Sequence, residues 1–210
     1  MNIISHNTFS YLPVRQWWMK PFGWLARCQS MDISDQFSYG MTGIDLRIRF
    51  DRKGHPVLAH GMVEYDADAM RIIAILKDWD ITNGNGTCMR VMLETTSCMN
   101  DIERRRQKLL FADMCRYLKA LFNNIVLWGG WPRDEWGKKV YDFGTDEPSV
   151  TEMHASVAWR NSDNRFRRTF SWLPNLWIRS WAKRHNNEII SKAQTDWCMI
   201  DFVEYRLGRL

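Results

Sequence analysis

One stretch of the chain alternates so strictly between apolar and charged residues that it restricts the fold. From Gly43 to Phe50 every second residue is apolar, and a period of two is typical of a β-strand. The intervening residues are Asp45, Arg47 and Arg49. On an exposed sheet this charged face would meet water, whereas in an α/β barrel it would point inward, where charges need a functional reason. Both interpretations stay open at this point.

Polar side chains also stand where other predicted strands end. Short apolar runs predict strands over residues 3–4, 56–61, 89–93 and 197–203. Each run ends in, or close to, one of His6, His60, Glu94 and Asp201. Enzymes with parallel α/β folds place their chemistry at the carboxyl ends of the strands. On a parallel barrel these side chains would converge with Asp45 and Arg47 at one mouth.

The order of the predicted elements gives the fold class. Helices are predicted over residues 32–39, 66–78, 100–122 and 183–193, and further strands over 124–128, 139–143 and 153–159. Strands that alternate with helices or long loops indicate an α/β barrel or a wound sheet. We predict a small, distorted (β/α)8 TIM barrel that forms one domain over residues 1–210, a length near the lower limit for this fold.

Composition narrows the cellular setting and the kind of partner. The five cysteines are odd in number and include no Cys-x-x-Cys pair, which argues against a disulfide framework or a structural zinc site. The sequence shows neither a basic-then-apolar leader nor an apolar run of about 18 residues. We therefore expect a cytoplasmic protein without a transmembrane segment. The net charge of +5 suggests a mild affinity for anions.

Two segments of the chain interleave aromatic and basic residues. Trp17 and Trp18 belong to the first segment, and Trp172 and Trp177 to the second, in a chain with 12 tryptophans. This composition suits a membrane interface, where an indole ring is half wet and a cation meets phosphate. Buried aromatic clusters with snorkelling cations fit it equally well, and the second segment could also stack on single-stranded nucleic acid. We predict peripheral membrane contact and no stable nucleic-acid partner.

Two strand-end histidines and a cation suit phosphodiester chemistry. One imidazole would take a proton from the nucleophile, and the other would give a proton to the leaving oxygen. Arg47 or a metal ion would offset the negative charge that grows on the phosphoryl oxygens. The residue pattern thus favours a phosphodiesterase.

Four sequence blocks, in order, resemble the X-region of phosphatidylinositol-specific phospholipase C. The blocks are Ser5–Phe9, Gln29–Gly40, Ile44–Arg47 and Val57–Gly61. Glu94 and Asp201 continue the agreement. The resemblance implies a distorted TIM barrel in which His6 is the general base that deprotonates the substrate hydroxyl next to the phosphate. It also implies that His60 is the general acid and that Asp201 orients His6.

The resemblance gives conflicting indications about whether the protein uses a metal ion. Arg47 matches the arginine that bacterial members use in place of the calcium ion of eukaryotic members. Asn7, Asp45 and Glu94 match eukaryotic metal-ligand positions. Because Ca²⁺ prefers about six to eight oxygen ligands and Arg47 would repel it, we expect chemistry without a cofactor. Asp45 or Glu94 would then pair with Arg47, and Asn7 and Glu94 would lie near the substrate phosphate. The alternative is a Ca²⁺ site formed by Asn7, Asp45 and Glu94.

The expected function is cleavage of an inositol phospholipid by attack of a vicinal hydroxyl, which gives a cyclic phosphate and a free alcohol. The tryptophan segments resemble the interfacial rim of the bacterial enzymes. Two alternatives remain. One is the same fold acting on another phosphodiester, such as a glycerophosphodiester, a nucleotide or RNA. The other is a catalytically weak barrel that binds lipid or phosphate. The sequence does not indicate an oligomeric state.

Overall fold

The computed structural model describes residues 2–84, 86–96, 98–130, 143, 149–152, 159–170 and 176–205. The strands are β1 (Asn2–Ser5), β2 (Gly43–Phe50), β3 (Pro56–His60), β4 (Val63–Glu64), β5 (Cys88–Leu93), β6 (Val126–Gly130), β7 (Val150–Glu152) and β8 (Trp197–Ile200). The α-helices are α1 (Ile33–Ser38), α2 (Ala69–Asn83), α3 (Asp101–Leu121), α4 (Arg165–Thr169) and α5 (Ile178–Lys192). Two 3₁₀ segments cover Trp17–Ala26 and Val203–Tyr205.

Part of the sequence prediction falls outside the described residues. The strand predicted over residues 139–143 has Phe143 alone described, and the strand predicted over 153–159 has Trp159 alone described. Trp172 also lies outside the described residues. Strand β7 is present although the sequence analysis does not predict it, because three residues are too few to show an alternation.

Helix boundaries follow the capping residues. The Asp32 side chain accepts the Asp35 N–H at 2.9 Å and so caps α1. Asn100 caps α3 by accepting the Glu103 N–H at 2.8 Å. Helix α5 begins at Ile178, five residues before the predicted start. None of the helices in the described part of the chain combines the length and the apolar composition needed to span a lipid bilayer.

The chain forms two compact units. Unit 1 comprises Met1–Tyr11, Trp24–Ile44 and Pro148–Leu210, and unit 2 comprises Leu12–Gly23 and Asp45–Glu147. That residues 1–210 act as a single domain stays a prediction.

Unit 1 is built on parallel strands. Strand β8 pairs in parallel with β1 on one side and with β7 on the other, and β1 also pairs in parallel with the first residues of β2. Helix α5 covers these strands, with Trp181 and Ile189 packed in one cluster with Ile3 and Ile200. The register aligns Ser5 with Ile200, so that the next residue of each strand, His6 and Asp201, emerges at the same edge.

Unit 2 combines parallel and antiparallel pairing. Strands β5 and β6 are parallel, and β5 also pairs with β2. Strands β2 and β3 form an antiparallel hairpin. Helices α2 and α3 contribute buried apolar residues to this unit, among them Ile73, Leu76, Phe111 and Leu118.

The β2–β3 hairpin differs from the parallel arrangement that would bring all the strand ends to one mouth. Residues 51–55 join the two strands, whereas a parallel crossover needs about a dozen residues. Within this turn the Asp51 side chain accepts the Lys53 and His55 N–H groups at 2.8 and 2.9 Å. Because the register aligns Ile48 with Leu58, His60 comes level with the Asp45–Arg47 part of β2. The hairpin therefore places His60 near Arg47 without a crossover helix.

The charged face of β2 is buried. Asp45 is fully buried and Arg49 is 6% exposed, while Ile44, Leu46 and Ile48 on the opposite face are also fully buried. A strand that is buried on both faces fits the barrel-interior interpretation and excludes the solvated-face interpretation. The charges on β2 must therefore be neutralised by partners inside the protein.

Candidate active site

His6 and Asp201 form a buried pair in unit 1. Nδ1 of His6 lies 2.6 Å from Oδ1 of Asp201, and the side chains are 6% and 0% exposed. A carboxylate at Nδ1 holds the proton on that nitrogen and leaves Nε2 as the basic nitrogen of a neutral imidazole. It also stabilises the imidazolium that forms when Nε2 takes up a proton. The geometry therefore suits His6 to proton abstraction.

Gln29 connects the backbone on both sides of this pair. Its side chain is fully buried. Its Nε2 donates to the carbonyl oxygens of His6 and Ile200, each at 3.1 Å. Its Oε1 accepts the Val203 N–H at 3.1 Å. One amide thus fixes the end of β1 against the end of β8, and sequence reasoning placed Gln29 in a block without assigning it this role.

Asn186 supports Asp201 from helix α5. It is fully buried, and its Nδ2 donates to the Asp201 carbonyl at 2.7 Å and to the Phe202 carbonyl at 3.2 Å. Phe202 has a φ of 50°, a left-handed conformation that is rare for bulky residues. Asn186 is not among the residues predicted from the sequence, because an asparagine inside a helix carries no signal of its own.

Asn7 carries the turn that follows β1. It is 2% exposed and has a φ of 44°, a left-handed conformation that asparagine adopts more readily than most residues. Its carbonyl accepts the Ser10 N–H at 2.9 Å. The Ser10 hydroxyl in turn accepts the Cys28 and Gln29 N–H groups at 2.9 and 2.8 Å. The structure thus gives Asn7 a role in shaping the backbone next to His6.

Arg47 is held between two carboxylates in unit 2. Its Nε donates to Oδ2 of Asp45 at 2.7 Å, and its Nη1 donates to Oε1 of Glu94 at 2.7 Å. A pair of Arg47 with Asp45 or Glu94 is expected from the sequence, and Arg47 pairs with both. Asp45 also accepts from a second guanidinium, that of Arg90, whose Nε lies 2.8 Å from Oδ1. Arg90 is not among the residues predicted from the sequence, although a lone charge inside the apolar strand β5 is a signal that marks it.

Glu94 links Arg47 to the turn that follows His60. Its Oε2 accepts the Gly61 N–H at 3.1 Å, while its Oε1 accepts from Arg47. Burial raises the pKa of Glu94, but the charges of Arg47 and His60 and the hydrogen bond from Gly61 outweigh it and hold the pKa below its ordinary value. Glu94 is therefore ionised at neutral pH and acts as a negative centre beside His60.

Arg49 fixes the same turn from the other end of β2. Its Nε donates to the Glu94 carbonyl at 3.3 Å, and its Nη1 donates to Glu64 at 3.3 Å. Its Nη2 donates to the Gly61 carbonyl. The third charged residue of β2 thus holds the backbone around His60, a role that the alternation pattern alone could not reveal.

The carboxylates of unit 2 that were predicted as calcium ligands are bound by guanidinium groups. Asp45 and Glu94 are two of the three predicted ligands, and both bind guanidinium groups. A Ca²⁺ ion prefers about six to eight oxygen ligands, and it would be repelled by Arg47 and Arg90. The donors present in this unit therefore fit guanidinium groups better than a divalent cation.

Three of the four tryptophans predicted to contact a membrane, Trp17, Trp18 and Trp177, are exposed. Trp17 is 79% exposed and Trp18 is 50% exposed in the first 3₁₀ segment. Trp177 is 41% exposed and lies edge-on to Trp159, with ring centroids 6.2 Å apart. The guanidinium of Arg167 lies 5.9 Å from the Trp159 ring. Both segments thus expose aromatic rings in basic surroundings.

Comparison with known proteins identifies the fold. No protein-family model matches the sequence, and no curated protein matches it either. The structure superposes on phosphatidylinositol-specific phospholipase C from Listeria monocytogenes with a TM-score of 0.52 and 15% identity, over 97% of this chain and 89% of that one. It superposes on the Staphylococcus aureus enzyme, in a structure concerned with membrane binding, with a TM-score of 0.54 and 14% identity, over 96% and 85% of the two chains. A variant of the same enzyme gives a TM-score of 0.51 and 14% identity, over 96% and 84%.

These likenesses confirm the fold predicted from the sequence blocks. The chain has the α/β fold of the bacterial phosphatidylinositol-specific phospholipases C.

Proposed function

We propose that this chain is a phosphodiesterase that cleaves inositol phospholipids by internal attack of a hydroxyl group. The observation that carries the proposal is the buried His6–Asp201 pair, with 2.6 Å between Nδ1 and Oδ1. A histidine oriented in this way is suited to act as a general base. The sequence blocks and the fold both point to the same class of enzyme.

The proposed reaction proceeds in one displacement at phosphorus. His6 takes the proton from the inositol hydroxyl next to the phosphate, and the oxygen attacks phosphorus as the bond to the glycerol oxygen breaks. His60, in its protonated form, gives a proton to the departing oxygen. The products are a cyclic inositol phosphate and diacylglycerol. Asp201 stabilises the imidazolium that His6 becomes.

Arg47 supplies the positive charge at the phosphate in this proposal. The two short hydrogen bonds to Asp45 and Glu94 hold its guanidinium in one orientation, and a charge that is fixed in advance stabilises a transition state most effectively. Because guanidinium groups already bind these carboxylates, we propose that the reaction needs no metal ion. Asn7 and Glu94 would then act by shaping the backbone and orienting Arg47.

Turnover of phosphatidylinositol with and without a chelator tests the proposal. Vesicles of phosphatidylinositol are incubated with the protein in EDTA or in millimolar Ca²⁺, and water-soluble phosphate is measured. We expect equal release in both buffers, and none from phosphatidylcholine vesicles, which lack the neighbouring hydroxyl. Release in Ca²⁺ alone contradicts the metal-independent mechanism, and release in neither buffer contradicts the proposed function. RNA and glycerophosphodiesters in parallel reactions test the alternative substrates.

The exposed tryptophans predict a membrane-binding phenotype. Replacing Trp17 and Trp18 together by alanine is expected to weaken binding to phosphatidylinositol-containing vesicles by about tenfold or more, because two large apolar rings no longer enter the interface. Vesicle co-sedimentation measures this. Tyr117→Ala, which removes a 45% exposed ring from α3, is the matched control and should bind normally. Unchanged binding of the tryptophan variant contradicts the interfacial role.

A further inference from the structure

Arg90 is a buried cation that the proposed reaction does not use directly. It lies in the middle of β5 and is 3% exposed. Its Nε and Nη2 donate to the two oxygens of Asp45 at 2.8 and 3.3 Å. Its guanidinium carbon lies 5.5 Å from the centre of the Trp128 ring, a distance suited to a cation–π interaction. A bidentate hydrogen bond to Asp45 and an aromatic ring thus fix the Arg90 side chain.

The charges around Arg47 show why a second guanidinium is needed. Arg47 is bonded to Asp45 and Glu94, so that these three groups sum to −1. A phosphodiester also carries one negative charge, and a sum of −1 would cancel the attraction that the protonated His60 beside Glu94 exerts on it. Arg90 brings the sum of the four groups to zero. Arg49 and Glu64 beside them form a pair of their own and leave the sum unchanged.

We propose that Arg90 is a positioning residue for Arg47 that acts through Asp45. It neutralises one of the carboxylates that hold Arg47, and it fixes the plane of that carboxylate so that Nε of Arg47 has a stationary acceptor. Arg47 then keeps both its orientation and its attraction for a phosphate. This inference rests on the proposed function, in which Arg47 meets the substrate phosphate.

A set of variants that removes and then restores the summed charge of these four groups (a charge cycle), with inorganic phosphate as the probe, tests the inference. The phosphate concentration that gives half of the maximal thermal stabilisation is measured for wild type, Arg90→Gln, and the double variant Arg90→Gln/Asp45→Asn. The charges of the four groups then sum to 0 in wild type, −1 in Arg90→Gln and 0 in the double variant. We expect Arg90→Gln to raise this concentration by about tenfold or more, and the double variant to return to within about threefold of wild type. A merely structural role predicts that the double variant is at least as impaired as the single one.

Two further variants separate charge from geometry. Arg90→Lys keeps the charge but loses the planar fork, so that phosphate affinity should stay near the wild-type value while kcat on phosphatidylinositol falls. Arg116→Gln removes an exposed guanidinium that pairs with Asp113 on α3 and should change neither quantity. If Arg90→Gln does not fold, wild type and the double variant still decide the matter. Equal phosphate affinity supports the inference, and a loss of more than about tenfold contradicts it.

The phosphate measurement does not depend on turnover, so that the two proposals can fail separately. A protein that follows the charge cycle but does not cleave phosphatidylinositol contradicts the proposed function and supports the role of Arg90. A protein that cleaves phosphatidylinositol, but whose phosphate affinity is the same in wild type and Arg90→Gln, contradicts the role of Arg90 alone. Wild-type protein that phosphate does not stabilise also contradicts the inference.

Discussion

Replacing His6 or His60 by alanine is expected to lower kcat on phosphatidylinositol by about 10²–10⁴-fold, the usual contribution of general acid–base catalysis. Without His6 the attacking hydroxyl keeps its proton, and without His60 the glycerol oxygen leaves as an unstable alkoxide. Initial rates on vesicles measure both effects. Circular dichroism and thermal melts show whether the variants remain folded, which matters for His6 because it is buried against Asp201.

The leaving group distinguishes the roles of the two histidines. An inositol phosphodiester with a p-nitrophenol leaving group needs no general acid, because the phenolate departs readily. His60→Ala should therefore recover most of its activity on this substrate, whereas His6→Ala should stay impaired. His55→Ala, which changes an exposed histidine in the β2–β3 turn, is the matched control and should retain full activity. Equal losses for His6→Ala and His60→Ala on both substrates contradict the assignment of acid and base.

Replacing Arg47 by glutamine is expected to lower kcat/KM by about 10²–10³-fold, since one fixed donor at a developing negative charge has an effect of this size. The change also removes the main charge that holds the pKa of Glu94 low, so that this pKa should rise. Initial rates on phosphatidylinositol vesicles measure the first effect, and NMR of the Glu94 carboxyl group across a pH series measures the second.

Arg47→Lys separates charge from geometry at the same position. Lysine keeps the positive charge but cannot bind Asp45 and Glu94 with a planar fork. We expect an activity between those of wild type and Arg47→Gln. Arg116→Gln controls for the loss of one positive charge elsewhere on the protein. Wild-type activity in Arg47→Gln contradicts the proposed electrostatic role.

Residues whose signal is local could be predicted from the sequence. The two-residue period of β2 predicted both its bounds and the shared face of Asp45, Arg47 and Arg49. The strand end at His6 was marked by the change from apolar to polar residues, whereas the strand predicted over 197–203 runs past Asp201 and β8 ends at Ile200. The contact between His6 and Asp201 then followed from parallel pairing of β1 and β8. These sequence patterns depend on neighbouring residues alone, and the strands of the structure agree with them.

Contacts that depend on long-range packing could not be predicted. Gln29 and Asn186 make their hydrogen bonds because β1, β8 and α5 pack together, and no local sequence pattern predicts that packing. Arg90 carries a local signal, a lone charge inside the apolar strand β5, but its bond to Asp45 depends on the pairing of β5 with β2. The prediction for the β2–β3 connection is wrong for a different reason. A parallel arrangement needs a crossover of about a dozen residues, whereas residues 51–55 alone join these two strands.

The identity of the product tests the central claim most directly, because internal attack leaves a chemical signature. Phosphatidylinositol vesicles are incubated with the protein in EDTA, and the water-soluble products are followed by ³¹P NMR from the earliest times. We predict that a cyclic inositol phosphodiester forms first and that diacylglycerol accumulates in equal amount. Early formation of an acyclic phosphomonoester, or of phosphatidic acid and free inositol, would contradict internal attack by the neighbouring hydroxyl.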